Sequence, residues 1–285
     1  MMTRYYKVAG HTFAVNGKDE LFEQMGNYEP FECESAKPLF ALTEESDAMP
    51  EYTERYRQEE GRWGTLIYGH TASGNEVFEY MGRTESRGCL ILSKDYHEGR
   101  LIITGDISAN MLNRSLTIMY AFSTADKDTL LIHAVVVSSE GKGYMFLGPS
   151  CIGKSTHARL WLEHIEGTEL VNDDFPVIRG NMVYGSPWGG GKTPCYRNVS
   201  YPIGGIVALS QAPYNKIHRL SGLEAYMNLF VSASKGFDTR NADGLHQTEE
   251  RLASTIPMWH LECLPDEAAV RLCHDTITNH RNCII

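Results

Sequence analysis

The stretch Gly148-Pro149-Ser150-Cys151-Ile152-Gly153-Lys154-Ser155-Thr156 constrains this chain more than any other. It fits G-x-x-x-x-G-K-[ST], the loop that wraps nucleotide phosphates. Its glycines let the backbone turn tightly and aim N–H groups at phosphate oxygens. Lys154 is spaced to reach the β- and γ-phosphates, and the Ser155 hydroxyl to meet Mg²⁺. Such a loop must leave a strand and open a helix. Tyr144-Met145-Phe146-Leu147 is a short apolar run ending at Gly148. Ala158, Trp161, Leu162 and Ile165 then recur at helical spacing, so a helix is expected from Lys154 to a stop near Gly167. The positive end of that helix would face the phosphates. The pattern points to a nucleoside triphosphate, a divalent ion such as Mg²⁺ and phosphoryl transfer, and with no N-K-x-D guanine-reading motif in the chain the expected nucleotide is ATP.

One helix later comes Leu170-Val171-Asn172-Asp173-Asp174, a short strand ending in two acids. A nucleotide site needs a carboxylate at a strand end for Mg²⁺, and an attacking hydroxyl needs a base. Asp173 and Asp174 can divide those roles, with Ser155 and Asp174 as the expected metal ligands. Upstream, Leu131 to Val137 reads as a strand carrying His133 in an apolar run, and Ser138 to Gly143 as a hairpin loop into the phosphate-loop strand. Taken alone, His133 reads as a hydrogen-bonded core histidine. Beside phosphates, a histidine can also orient or tune an acid.

In that order, His133 in a strand, a hairpin, GPSCIGKST, a helix and LVNDDFPVI, the motifs resemble the catalytic domain of HPr kinase/phosphorylase, a family that looks related to ATP-dependent phosphoenolpyruvate carboxykinase. The resemblance runs roughly from Leu130 to Pro265. It implies that His133, Asp173 and Asp174 surround the γ-phosphate with Lys154, that the acceptor is a serine hydroxyl with an acid as general base, and that the protein assembles as a homo-oligomer. The chain departs from the family pattern at Cys151, which follows Ser150 where a Ser-Gly pair is usual. It departs again at Thr156, which replaces an acid, and it lacks a Glu-Arg-Gly signature after the second acidic strand. It therefore looks like an HPr-kinase-like protein with a different acceptor: a small protein, a peptide or a small-molecule hydroxyl. The alternative is a nucleotide-binding regulatory protein with little or no turnover.

Val177 to Tyr184 reads as a hairpin turning at Gly180-Asn181, delivering the chain to Ser186-Pro187-Trp188-Gly189-Gly190-Gly191-Lys192. Three successive glycines suit a loop that closes on a ligand. Lys192 and Arg197 are candidates for the transferred phosphate or an acidic acceptor, and Trp188 and Tyr196 for stacking.

The net charge of −10 gives no electrostatic case for nucleic acid. The seven cysteines include no C-x-x-C pair, and the Cys263, Cys273, His274, His280, Cys283 group matches no zinc spacing. Dispersed thiols, no apolar leader and no bilayer-length apolar run predict a reduced, cytoplasmic setting without membrane association.

Before His133 no catalytic motif appears. Short β-type runs recur at Tyr5–Val8, Phe13–Val15, Leu39–Leu42, Thr65–Tyr68, Val77–Tyr80, Cys89–Leu92 and Leu101–Thr104, predicting an antiparallel sheet unit, with 44–64 as a long polar loop. A helix is expected over Ala109 to Phe122. After the site, a strand is expected at Tyr201–Leu209, a helix at Leu223–Ser232, a strand at Met258–Cys263 and a closing helix at Asp266–Ile277. The expected architecture is α/β: a P-loop core of the HPr kinase/PEP carboxykinase type at 109–285, preceded by a β-rich unit at 1–108.

Overall fold

The computed structural model describes residues 1–59, 64–105, 109–190, 195–234 and 242–279. The chain is mixed α/β and divides into two compact units, Met1–Ser123 and Thr124–Ile285. No described helix is long and apolar enough to cross a membrane.

The first unit holds β1 (Met2–Val8), β2 (His11–Gly17), α1 (Asp19–Glu23), a 3₁₀ turn at Gly26–Phe31, β3 (Glu32–Cys33), β4 (Phe40–Glu45), β5 (Thr53–Glu59), β6 (Thr65–His70), β7 (Glu76–Met81), β8 (Ser86–Leu92), β9 (Glu98–Ile103) and α2 (Ala109–Thr124). Its sheet runs β3-β1-β2-β4-β9-β8-β7-β6-β5. The expected sheet is present, but β2–β4 and β4–β9 pair parallel, so it is mixed rather than antiparallel. Within the expected polar loop lies β5, a wholly exposed edge strand. With no buried face it carries no alternation to read.

Helix α2 groups with this first unit rather than with the P-loop unit, which moves the boundary from 108/109 to 123/124. The reason is its packing. Tyr120 Oη donates to Val8 O at 3.0 Å, Tyr80 Oη and Ser115 Oγ lie 2.9 Å apart, and Ser123 Oγ donates to Tyr96 O at 2.8 Å. Leu112, Leu116 and Met119 are buried.

The second unit holds β10 (Thr129–Leu131), β11 (Ala134–Ser139), β12 (Lys142–Leu147), α3 (Lys154–His164), β13 (Glu169–Asn172), β14 (Val177–Arg179), β15 (Met182–Tyr184), β16 (Ser200–Gln211), β17 (Lys216–Leu220), α4 (Gly222–Ser232), α5 (Ala242–Thr255), β18 (Met258–Cys263) and α6 (Glu267–Asn279). The order β10-β14-β15-β16-β12-β11-β13 is joined by β18, which pairs with β16 and β17. Hairpin β11–β12 turns at Glu140-Gly141, both at positive φ (49° and 73°), as a two-residue turn requires. The strand expected over Leu131–Val137 is broken at Ile132-His133, so His133 sits between β10 and β11.

Side chains alternate across the central strands. Val135, Val137, Phe146, Val207, Trp259 and Leu261 pack with Trp161 of α3 and Val270 of α6. Val136, Met145, Leu147, Ile206, Ala208 and Met258 pack with Leu229 of α4 and Leu252 of α5. Strands β12, β16 and β18 run parallel. Helix α3 follows β12 directly and packs on one face, whereas β16 is followed by the antiparallel strand β17 before α4 packs on the other face. The crevice outside the carboxyl ends of the parallel strands β12 and β16 is where α/β sheets place ligands.

Candidate functional site

The 148–156 loop, the expected phosphate loop, lies at this crevice. β12 ends at Leu147, and α3 begins at Lys154 with Gly153 before it at φ 119°. Cys151 is exposed and holds φ 66°. A left-handed residue with a Cβ costs about 1 kcal/mol, which is the physical reason a glycine suits this position. Lys154 is buried at 7% exposure, and its ammonium donates to Gly148 O at 2.8 Å and Pro149 O at 3.2 Å. Burial pulls its pKa below the ordinary lysine value, and the negative charge of Asp174 opposes that shift. The cation is thus held at the loop and short of counter-charge, a suitable state for receiving an anion.

Around it the structure gathers a cavity of about 290 Å³, lined by His133, Ser150, Cys151, Gly153, Lys154, Ser155, Thr156, Asp173, Asp174 and Gly190. Residues from four separated segments meet there: the break before β11, the loop with the first turn of α3, the turn after β13, and the glycine segment at Gly190. His133 Nε2 lies 3.3 Å from Asp174 Oδ1, and its ring packs on Phe175. Its backbone is fixed too, since His133 N–H donates to Ser232 O at 2.8 Å and Ala134 N–H to Asp174 O at 2.9 Å. Ile152 lines an adjacent apolar cleft instead, about 660 Å³ in volume, with Leu209, Gln211, Pro213 and Leu264. That cleft shares Cys151, Gly153 and Thr156 with the phosphate cavity.

The two acids are held differently. Asp173 Oδ1 accepts from Cys195 N–H at 3.2 Å, whereas Asp174 faces His133. The glycine segment lies flush against both. A Cβ on Gly189 would come within 2.6 Å of Asp173 Oδ1, and one on Gly190 within 2.4 Å of Asp174 Oδ2. These glycines are therefore needed for close approach to the carboxylates.

A buried amide that belongs to no recognised motif position locks this arrangement. Asn172 is fully buried; its Nδ2 donates to Ser186 Oγ at 3.1 Å and Trp188 O at 3.3 Å, and its Oδ1 accepts from Asp174 N–H at 3.0 Å. Ser186 Oγ donates to Phe175 O at 2.6 Å and accepts from Trp188 N–H at 3.2 Å. One side chain thus ties the acidic turn to the glycine segment. Its only sequence signal is a polar residue at the end of an apolar strand.

Two expected site residues fall elsewhere, and a third is not described. Trp188 is 3% exposed, so its ring belongs to the interior and offers no face for stacking. Arg197 donates to Leu170 O at 2.8 Å and pairs with Glu169 at 2.7 Å. These contacts hold it at the start of β13, the opposite end from the acids. Lys192 lies outside the described residues.

No group of three or more His, Cys, Asp or Glu that could hold a metal occurs among the described residues. Mg²⁺ beside a nucleotide takes most of its oxygens from phosphates and water, with one or two protein ligands. The Ser155 hydroxyl and the carboxylates lining the same cavity fit that limited role. No protein-family model matches the chain, and no curated protein is significantly similar to it.

Proposed function

We propose that this protein is an ATP- and Mg²⁺-dependent phosphotransferase that moves the γ-phosphoryl group to a hydroxyl, in the manner of the HPr-kinase-like proteins it resembles. The observation that carries this reading is the cavity where Lys154 and Ser155 meet His133, Asp173 and Asp174. Holding the nucleotide's Mg²⁺ needs one carboxylate, whereas transfer to a hydroxyl needs a base as well, and here a second carboxylate stands beside a histidine.

The backbone N–H groups of the loop and the start of α3 would cradle the phosphates, and the apolar cleft lined by Ile152, Leu209 and Pro213 would take the nucleoside. Ser155 and Asp173 would hold Mg²⁺, in place of the Ser155 and Asp174 pair expected from the sequence, because Asp174 is paired with His133. The ion when bound would neutralise charge building on the phosphates. In the transfer step the acceptor oxygen bonds to the γ-phosphorus as the bond to the bridging oxygen breaks, and ADP departs. The hydroxyl proton passes to Asp174, and His133 orients that carboxylate. Lys154 moves from the carbonyls of Gly148 and Pro149 to the phosphates and stabilises the leaving charge.

The test is transfer of labelled γ-phosphate into an extract of the source cells, with ATP binding measured in parallel. Lys154→Ala and Asp174→Asn are each expected to cut transfer by at least ~100-fold, the usual scale for losing a charge-stabilising or acid–base group. ATP bound tightly with no labelled product would instead support the regulatory alternative. Equal labelling by wild type and both variants would remove this site from the reaction.

A further inference from the structure

A second chamber, of about 350 Å³, adjoins the phosphate cavity, and the two share His133 as a wall. Ala208 of β16 and His260 of β18, cross-strand partners in the sheet, line it from below. Asn228, Val231 and Ser232 of α4 line its side; Gly148 and Pro149 of the loop complete it with Leu209, which also lines the apolar cleft. The chamber belongs to the α4 face of the sheet. The apolar cleft proposed for the nucleoside is instead bounded by His157 of α3 and by Cys263, on the α3–α6 face. A triphosphate running from that cleft along the loop would bring its terminal phosphate towards His133, the wall shared with this chamber.

The proposed transfer step leaves His260, Asn228 and Ser232 without a role. His260 Nε2 lies 2.8 Å from Ser210 Oγ. Burial first, and the His218 ring opposite it second, lower its pKa below the ordinary histidine value, so it is neutral near pH 7. Asn228 Nδ2 donates to Glu224 O at 2.9 Å, which leaves its second N–H and its amide oxygen for a guest. Ser232 O receives the His133 N–H, tying the end of α4 to the catalytic wall. Among the described residues, no lysine, arginine, aspartate or glutamate lines the chamber. An anionic or cationic guest would enter without a counter-charge, and a purely apolar one would cover polar side chains without replacing their water.

We propose that this chamber is the acceptor subsite, and that it takes an uncharged hydroxyl-bearing group of about the size of a serine residue or a glycerol molecule. The volume is that of roughly twelve waters at ~30 Å³ each, room for one such group together with the chain or water around it. The proposal rests on the phosphotransferase reading above. It adds the face from which the hydroxyl arrives and the charge it must lack.

The test supplies the full-length protein with ATP and Mg²⁺ and one of four probes: N-acetyl-L-serinamide, its anionic counterpart N-acetyl-L-serine, glycerol, or its anionic counterpart glycerate. Phosphate-ester formation is followed by ³¹P NMR and ATP affinity by titration calorimetry. At least one uncharged probe is expected to be esterified at least ~10-fold faster than its anionic counterpart. Success with the serinamide points to an acceptor residue within a polypeptide, and success with glycerol to a free polyol. Asn228→Leu and His260→Phe are each expected to raise the KM for that probe ~10-fold or more, with ATP affinity unchanged. Anionic probes reacting as well as or better than uncharged ones would overturn the proposal. So would both variants leaving the KM unmoved, or no uncharged probe being esterified while ATP is bound and hydrolysed. A wild-type protein that fails to bind ATP would bring down the phosphotransferase reading itself, so the two failures are distinguishable.

Discussion

At the scale of single residues, the site depends on contacts that tolerate little change. Gly190 passes so close to Asp174 that a Cβ would displace the carboxylate. Gly190→Ala should therefore lower kcat by ~10- to 100-fold while ATP affinity stays within a few-fold, because the carboxylate moves and the phosphate loop does not. Steady-state kinetics beside ATP titration checks this. A second residue-scale expectation concerns His157, buried in α3, whose Nε2 accepts a hydrogen bond from Trp161 Nε1 at 3.1 Å. Burial lowers its pKa from 6.5 to about 4, so the folded state holds it neutral. Between those values the unfolded chain binds the extra proton, and stability falls as pH falls from about 6.5 towards 4. The loss between pH 7 and pH 5 should be about 2 kcal/mol, and His157→Gln should remove most of that pH dependence. Urea midpoints of both proteins at the two pH values would decide it.

At the scale of elements, the strand ends matter more than the strands. The junction of β13 with the acidic turn is held by Asn172, whose amide serves the turn and the glycine segment together. Asn172→Leu would leave several buried partners unsatisfied and should cost about 2–4 kcal/mol of stability, read from a lowered urea midpoint. The elements also show what could be read in advance. The phosphate-loop strand and α3 follow directly from an apolar run and a 3.6-residue period, as does the Gly180-Asn181 hairpin from its turn residues. Less legible were β17, which is largely exposed, and α5, whose many charged and polar residues thin its apolar stripe. His133 looked like a mid-strand residue because hydrophobicity does not mark the break at 132–133, which is made by pairing with Pro176 and Ser232. Arg197 and Trp188 looked available for ligands because composition cannot tell a solvated side chain from one already engaged. Their actual surroundings, Glu169 with Leu170 O and the interior respectively, depend on segments distant in sequence.

At the scale of the whole molecule, two units with separate cores predict two cooperative transitions on heating. Among the described residues, every wall of the candidate site comes from the second unit. ATP with Mg²⁺ at about 100 times its Kd should therefore raise that unit's transition by roughly 5–10 °C and leave the other near its starting temperature. Scanning calorimetry with and without nucleotide tests this, and a shift shared equally by both transitions would contradict it. The second unit also offers a point of entry for engineering. Its Glu140-Gly141 turn is exposed, with nothing within 4 Å of a Cβ added at Gly141. It stands at the opposite end of the six-residue β12 from the phosphate loop, ~20 Å away at the usual strand rise. An epitope or fluorescent domain spliced in there, or new termini opened there by circular permutation, would sit one strand length from the chemistry.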